Sequence, residues 1–193
     1  MQNLLKDLIT KIKTNASIIF IGTSVYILGI ILALIFSAES LTEFYKEYAL
    51  NFYVTILNPS SSSFSFLFKR ILNVFLLYIP VVLLSFNQIS VYFNFVIVFY
   101  SGFTLSLSLK GLFILFKFNG IFVFLFLSLI QSVLTAISII IFILLIKANP
   151  CDNRNFLKYV IKVTVISLII ALIGVFVEFL FLVTIIRPFN FFF

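Results

Sequence analysis

The chain has 193 residues, of which 63% are hydrophobic and only 10% charged, far from the roughly 45–50% apolar and 25% charged of soluble domains. Its formal net charge is +7, yet the Lys and Arg residues are scattered at the ends of apolar runs. That pattern points away from nucleic acid and towards membrane lipid as the partner of the positive charge. With one cysteine, Cys151, and no histidine, an internal disulfide is excluded, and so is a cysteine metal cluster.

A bilayer core about 30 Å thick is crossed by about 20 apolar residues, and several uninterrupted runs reach that length. The chain therefore reads as a single all-α integral membrane domain, residues 1–193, a polytopic protein with about five transmembrane helices. Residues 1–15 put Leu4, Leu5, Leu8, Ile9 and Ile12 on one face, as in an interfacial helix lying in the headgroup layer. Residues 16–38 are uncharged and form the first span. They are too long for a signal-peptide core, and Phe36, Ser37 and Ala38 make a poor cleavage site.

Residues 39–63 read as an external amphipathic helix followed by a linker. Leu41, Phe44, Tyr45, Tyr48 and Phe52 recur at helical spacing among Glu39, Glu43, Lys46 and Glu47, and the run PSSSSFS favours turns. The second span starts after Lys69 and Arg70 and contains Pro80, which a membrane helix tolerates when neighbours satisfy the freed backbone. NQIS forms a turn, and a third span ends at Lys110. GLFILFKFNG, residues 111–120, is too short to cross and is either re-entrant or interfacial, with Asn119 and Gly120 as a turn pair. The fourth span covers 121–146, a polar loop follows, and the fifth covers 163–186.

Counting basic residues on the two sides leaves almost no bias. The acidic residues of the 39–63 segment and the lysine-rich flank of the first span put the N-terminus inside and the C-terminus outside.

Lys110 and Lys117 stand two helical turns apart in an otherwise apolar stretch. Their side chains are expected to snorkel to the outer headgroups. The alternative is a polar seam in which Ser101, Thr104, Ser106 and Ser108 lead toward the lysines. Glu178 lies inside the fifth span, where an ionised carboxylate costs a few kcal/mol unless it is paired or turned into the bundle. It is read as a packing clamp hydrogen-bonded by Gln131 of the fourth span, in preference to a proton or ion pathway. No Walker loop, HExxH motif or paired carboxylate is present. The expectation is therefore a protein that is not an enzyme and takes no cofactor or metal.

Three stretches, GFTLSLSLKGLFI, LSLIQSVLTAISIIIF and GVFVEF, resemble in order and spacing the stage II sporulation protein M family. The likeness rests on Gly102 and Phe103, on Gln131, and on Gly174 through Glu178. The chain departs from the family pattern at Ser106, Ile130 and Val183, where glycine, proline and proline are usual. The resemblance implies a non-enzymatic scaffold in the bacterial cell membrane, at the septum and then in the mother cell's engulfing membrane. Its partners would be the peptidoglycan-degrading stage II sporulation proteins D and P. Gly102, Phe103, Lys110, Lys117, Gln131, Gly174 and Glu178 are the candidate packing or partner-docking residues. The alternative function is a small transporter or permease subunit.

Overall fold

A computed structural model describes residues 10, 14–35, 43, 47, 63–86, 89–148 and 156–186. Among these residues every regular element is helical. The helices are α1 (Ala16–Ile35), α2 (Ser63–Leu83), α3 (Asn94–Val123), α4 (Ile130–Lys147) and α5 (Phe156–Phe181). Short 3-10 turns, Leu84–Phe86 and Ser90–Phe93, join α2 to α3, while π turns, Phe124–Leu129 and Leu182–Ile186, follow α3 and α5.

Four continuous helical stretches are long and apolar enough to cross a membrane: Ala16–Ile35, Ser63–Phe86, Ser90–Lys147 and Phe156–Ile186. Helix is the form that lets such a chain satisfy its own backbone without water. Ser90–Lys147 is not straight, because Lys117 has φ 49° and ψ −126° and breaks the helix into two limbs. Past this point the chain doubles back. Gly120 lies directly against the carbonyl oxygen of Leu112, where a Cβ would collide, and Ser132 Oγ donates to the carbonyl of Ser101, 31 residues earlier, at 3.2 Å.

This hairpin changes the expected boundaries. Lys110 does not end a span but lies within α3, and residues 111–116 complete that helix instead of forming a separate re-entrant or interfacial piece. The reversal falls at Lys117, ahead of the anticipated Asn119 and Gly120 turn. Helix α2 begins at Ser63, so Lys69 and Arg70 lie inside it. Helix α5 begins at Phe156 and takes in Lys158 and Lys162, both exposed. Of residues 1–15 only Thr10, Thr14 and Asn15 are described, and of 39–63 only Glu43, Glu47 and Ser63. The expected interfacial and external helices otherwise lie outside the described residues.

Helix α4 is the most enclosed, with Ile139, Phe142, Ile143 and Leu144 all at 1% exposure or less. It packs against α1, α3 and α5. Helix α2 packs chiefly along α5. Helices α1 and α3 approach so closely near Gly29 and Gly102 that backbone touches backbone: a Cβ on Gly29 would strike the carbonyl oxygen of Phe99, and one on Gly102 that of Tyr26. Two small residues, one on each helix, permit this close crossing.

The turn after Leu83 leaves the last carbonyls of this segment without a helical donor. Polar side chains supply replacements. Asn94 Nδ2 donates to Val81 O at 3.3 Å, Ser85 Oγ to Val82 O at 2.6 Å, and Ser90 Oγ to Leu84 O at 2.8 Å. The buried Asn94 and Ser85 in an apolar bundle thus serve backbone that would otherwise be orphaned.

One end of the bundle gathers the C-terminus of α1, the N-terminus of α2, the hairpin apex at Lys117 and the C-terminus of α5. Phe66 of α2 shares a core cluster there with Leu112 of α3, Leu127, and Leu182 and Ile186 beyond α5. At the other end Lys147 Nζ sits 4.6 Å above the ring of Tyr92, and Tyr159 OH donates to Leu145 O at 2.8 Å.

Candidate functional site: a buried ion pair and a lysine-capped helix end

The buried face of α5 reads Val160, Val163, Ser167, Ala171, Gly174, Val175 and Glu178, the three- and four-residue spacing of one helical stripe. That stripe carries Glu178 into the bundle, where its exposure is 0%. On α2 the buried residues are Phe66, Val74, Tyr78 and Val81, and Arg70 falls in the gap four residues after Phe66 and four before Val74. The two stripes face each other, and Arg70 Nη2 donates to Glu178 Oε1 at 2.6 Å. The Arg70 side chain is 14% exposed, and its guanidinium lies 5.5 Å from the centre of the Phe66 ring, a cation–π contact one turn away.

An unpaired charge at this depth is costly, whereas a short charge-assisted hydrogen bond between opposite charges offsets much of that cost. Glu178 is the one acidic residue within α1–α5, and it is the one that meets Arg70. Glu178 Oε2 is buried and has no hydrogen-bond partner among the described residues.

Gln131, the expected partner of Glu178, does not hold it. Its backbone lies against Gly174, where an added Cβ would come 3.4 Å from Gln131 Cα and 3.2 Å from Leu134 Cβ. Gln131, Gly174 and Glu178 are therefore brought to the same side of α5, with the first two forming a close helix crossing and the third reaching across to α2. By composition Arg70 reads as the flank of a span, which hides its place inside α2. The signal was present in the four-residue spacing that puts Arg70, but not Lys69, on the face of Phe66, Val74 and Tyr78.

Lys110 and Lys117 part company. Lys110 Nζ donates to the carbonyl oxygens of Ala33 at 3.1 Å and Leu34 at 2.7 Å, capping the C-terminus of α1 where the helix dipole favours a cation. Lys117 is exposed at the apex of the hairpin. The serine seam does not form. Ser101, Thr104 and Ser108 hydroxyls bond carbonyls of their own helix, and Ser106 Oγ is buried without a partner among the described residues. Gly102 serves the α1–α3 crossing, and Phe103 stacks on Phe99 with ring centroids 6.1 Å apart.

Two tyrosine links complete the polar interior. Tyr26 OH of α1 shares a 3.0 Å hydrogen bond with Ser132 Oγ of α4, which in turn donates to Ser101 O of α3. Tyr78 OH of α2 donates to Ser138 Oγ of α4 at 2.8 Å, and Ser138 donates to Thr135 O at 2.6 Å. Each link joins helices far apart in sequence, so each can fix relative position and rotation where apolar packing alone would permit sliding. No protein family, curated protein or solved structure matches the chain.

Proposed function

We propose that the chain is a non-enzymatic membrane scaffold that crosses the bilayer five times, N-terminus inside and C-terminus outside, and localises peptidoglycan-degrading partners at the septal and engulfing membrane of a sporulating cell. The partners implied by the resemblance are the stage II sporulation proteins D and P. The observation that carries this reading is where the resembling motifs fall. Gly102 lies at the α1–α3 crossing, Gln131 and Gly174 at the α4–α5 crossing, and Glu178 in the ion pair to α2. Residues committed to holding helices together suit a platform whose partners carry the chemistry.

Deleting the gene in its sporulating host should leave the polar septum formed, engulfment arrested and fluorescent fusions of the two hydrolase partners dispersed. Normal engulfment in the deletion strain would refute the scaffold.

A second reading, a small transporter or permease subunit, is favoured by one observation, the buried Glu178 Oε2, which has no partner among the described residues. It requires water or a solute to reach that oxygen. In a deletion strain it would show as failed uptake or efflux of a solute, with engulfment intact.

A further inference from the structure

Near the hairpin apex the two limbs leave an open furrow of about 290 Å³ between them, lined by Leu109, Lys110, Phe113, Ile114 and Ile121. Phe113 and Ile114 are exposed at 53% and 49%, so the furrow opens outward, away from the bundle core. Its walls are wholly apolar, Lys110 contributing the carbon stem of its side chain while the ammonium reaches the end of α1. A helix about 10–12 Å across does not enter a furrow of this size, whereas a single hydrocarbon chain does.

Lys110 stands at the edge of the furrow. An ammonium has three donors, and the carbonyls of Ala33 and Leu34 take two of them. The C-terminus of α1 contributes a partial negative charge of roughly half an elementary charge, which offsets only part of the ammonium's own. Within α1–α5 the sole carboxylate, Glu178, is already engaged by Arg70, so no acidic side chain of these helices neutralises Lys110. An apolar slot with a cation at its edge complements a molecule that carries an anionic phosphate next to an acyl chain. Such molecules surround any protein in a bacterial bilayer.

We propose that this furrow binds one acidic phospholipid of the surrounding bilayer, its acyl chain between the two limbs of the hairpin and its phosphate on Lys110 Nζ. The site goes beyond the scaffold reading and does not depend on which partners the protein recruits. It requires only that the hairpin sit in a bilayer.

The chain contains no tryptophan, so a Phe113→Trp protein reports from the furrow alone. The purified full chain is placed in vesicles of phosphatidylcholine containing a small fraction of either brominated phosphatidylglycerol or brominated phosphatidylcholine, and quenching of the indole is measured. Brominated phosphatidylglycerol should quench at about five-fold lower mole fraction, the preference expected of one basic residue beside an anionic lipid. A Phe75→Trp protein, whose probe lies on the exposed face of α2, should be quenched equally by both lipids.

Adding Lys110→Gln to Phe113→Trp should abolish the preference, and Lys110→Arg should keep it. Should the Gln variant fail to fold because α1 loses its cap, about 1 M salt, which shortens the screening length to about 3 Å, should reduce the preference in the Phe113→Trp protein itself. Equal quenching by both lipids, no quenching by either, or a preference that survives both removal of Lys110 and high salt would each overturn the proposal.

Discussion

Lys110, well inside α3, and Leu34, in the last turn of α1, are joined by a 2.7 Å hydrogen bond from ammonium to carbonyl oxygen. A lysine in the middle of an apolar helix is therefore the cap of a different helix. The last carbonyls of a helix have no partner of their own, and in an apolar surround the cation of a neighbour satisfies them at the point where the dipole also attracts it. Lys110→Met should lower the stability of the purified protein in detergent by about 1–2 kcal/mol, read as a fall in melting temperature. Lys110→Arg should retain most of it.

Removing one member of the Arg70–Glu178 pair leaves the other charge buried and uncompensated. Arg70→Leu and Glu178→Leu should each destabilise by about 3 kcal/mol or more. The double variant should recover much of the loss, because an apolar pair removes both charges together. Thermal denaturation of the three variants forms the test. Additive losses would mean that the pair does not act as a unit.

Gly29 and Gly102 can be distinguished from Gly174. Ala at either of the first two drives a Cβ into backbone of the facing helix, which cannot move aside as a side chain can. Gly29→Ala and Gly102→Ala should therefore loosen the α1–α3 contact and lower accumulation in the membrane. Gly174→Ala meets the Cβ of Leu134 at 3.2 Å and should cost less than either. Comparing amounts of folded protein from matched expression checks the order.

Lys117 adopts a backbone conformation, φ 49° and ψ −126°, that favours glycine. Lys117→Gly should raise stability by about 1 kcal/mol, and Lys117→Val, with its branched Cβ, should lower it. Melting temperatures of the two proteins against the parent decide the matter.

Orientation is tested with single cysteines after Cys151→Ser. Ser61→Cys and Asn190→Cys should react from outside intact cells with an impermeant thiol reagent, and Asn153→Cys should be shielded. The opposite pattern inverts the topology.

Much of the helical architecture was legible because long apolar runs permit little else in a bilayer. Charge, however, is a poor marker of span boundaries in this chain. Arg70 lies two turns inside α2 because the helix begins at Ser63, within a serine-rich run that looks like linker. Lys110 and Lys117 looked like a matched pair at helical spacing, yet a backbone reversal at the second leaves only the first within bonding distance of α1. No local pattern marks that reversal, since Lys is not a usual residue for positive φ. The tyrosine links from Tyr26 to Ser132 and from Tyr78 to Ser138 depend on helix rotation, which composition does not specify.

The Arg70–Glu178 contact also bears on how the protein is made. Its members are 108 residues apart, and a ribosome adding roughly 5–20 residues per second needs on the order of 5–20 s to supply the second after the first. During that interval the guanidinium two turns inside α2 lacks the carboxylate of Glu178, the partner it has in the finished fold. The nascent second helix therefore waits for its contact with the fifth, against which it chiefly packs. A chain truncated before Glu178 would leave it in that state, exposed to the quality-control proteases that extract poorly retained segments.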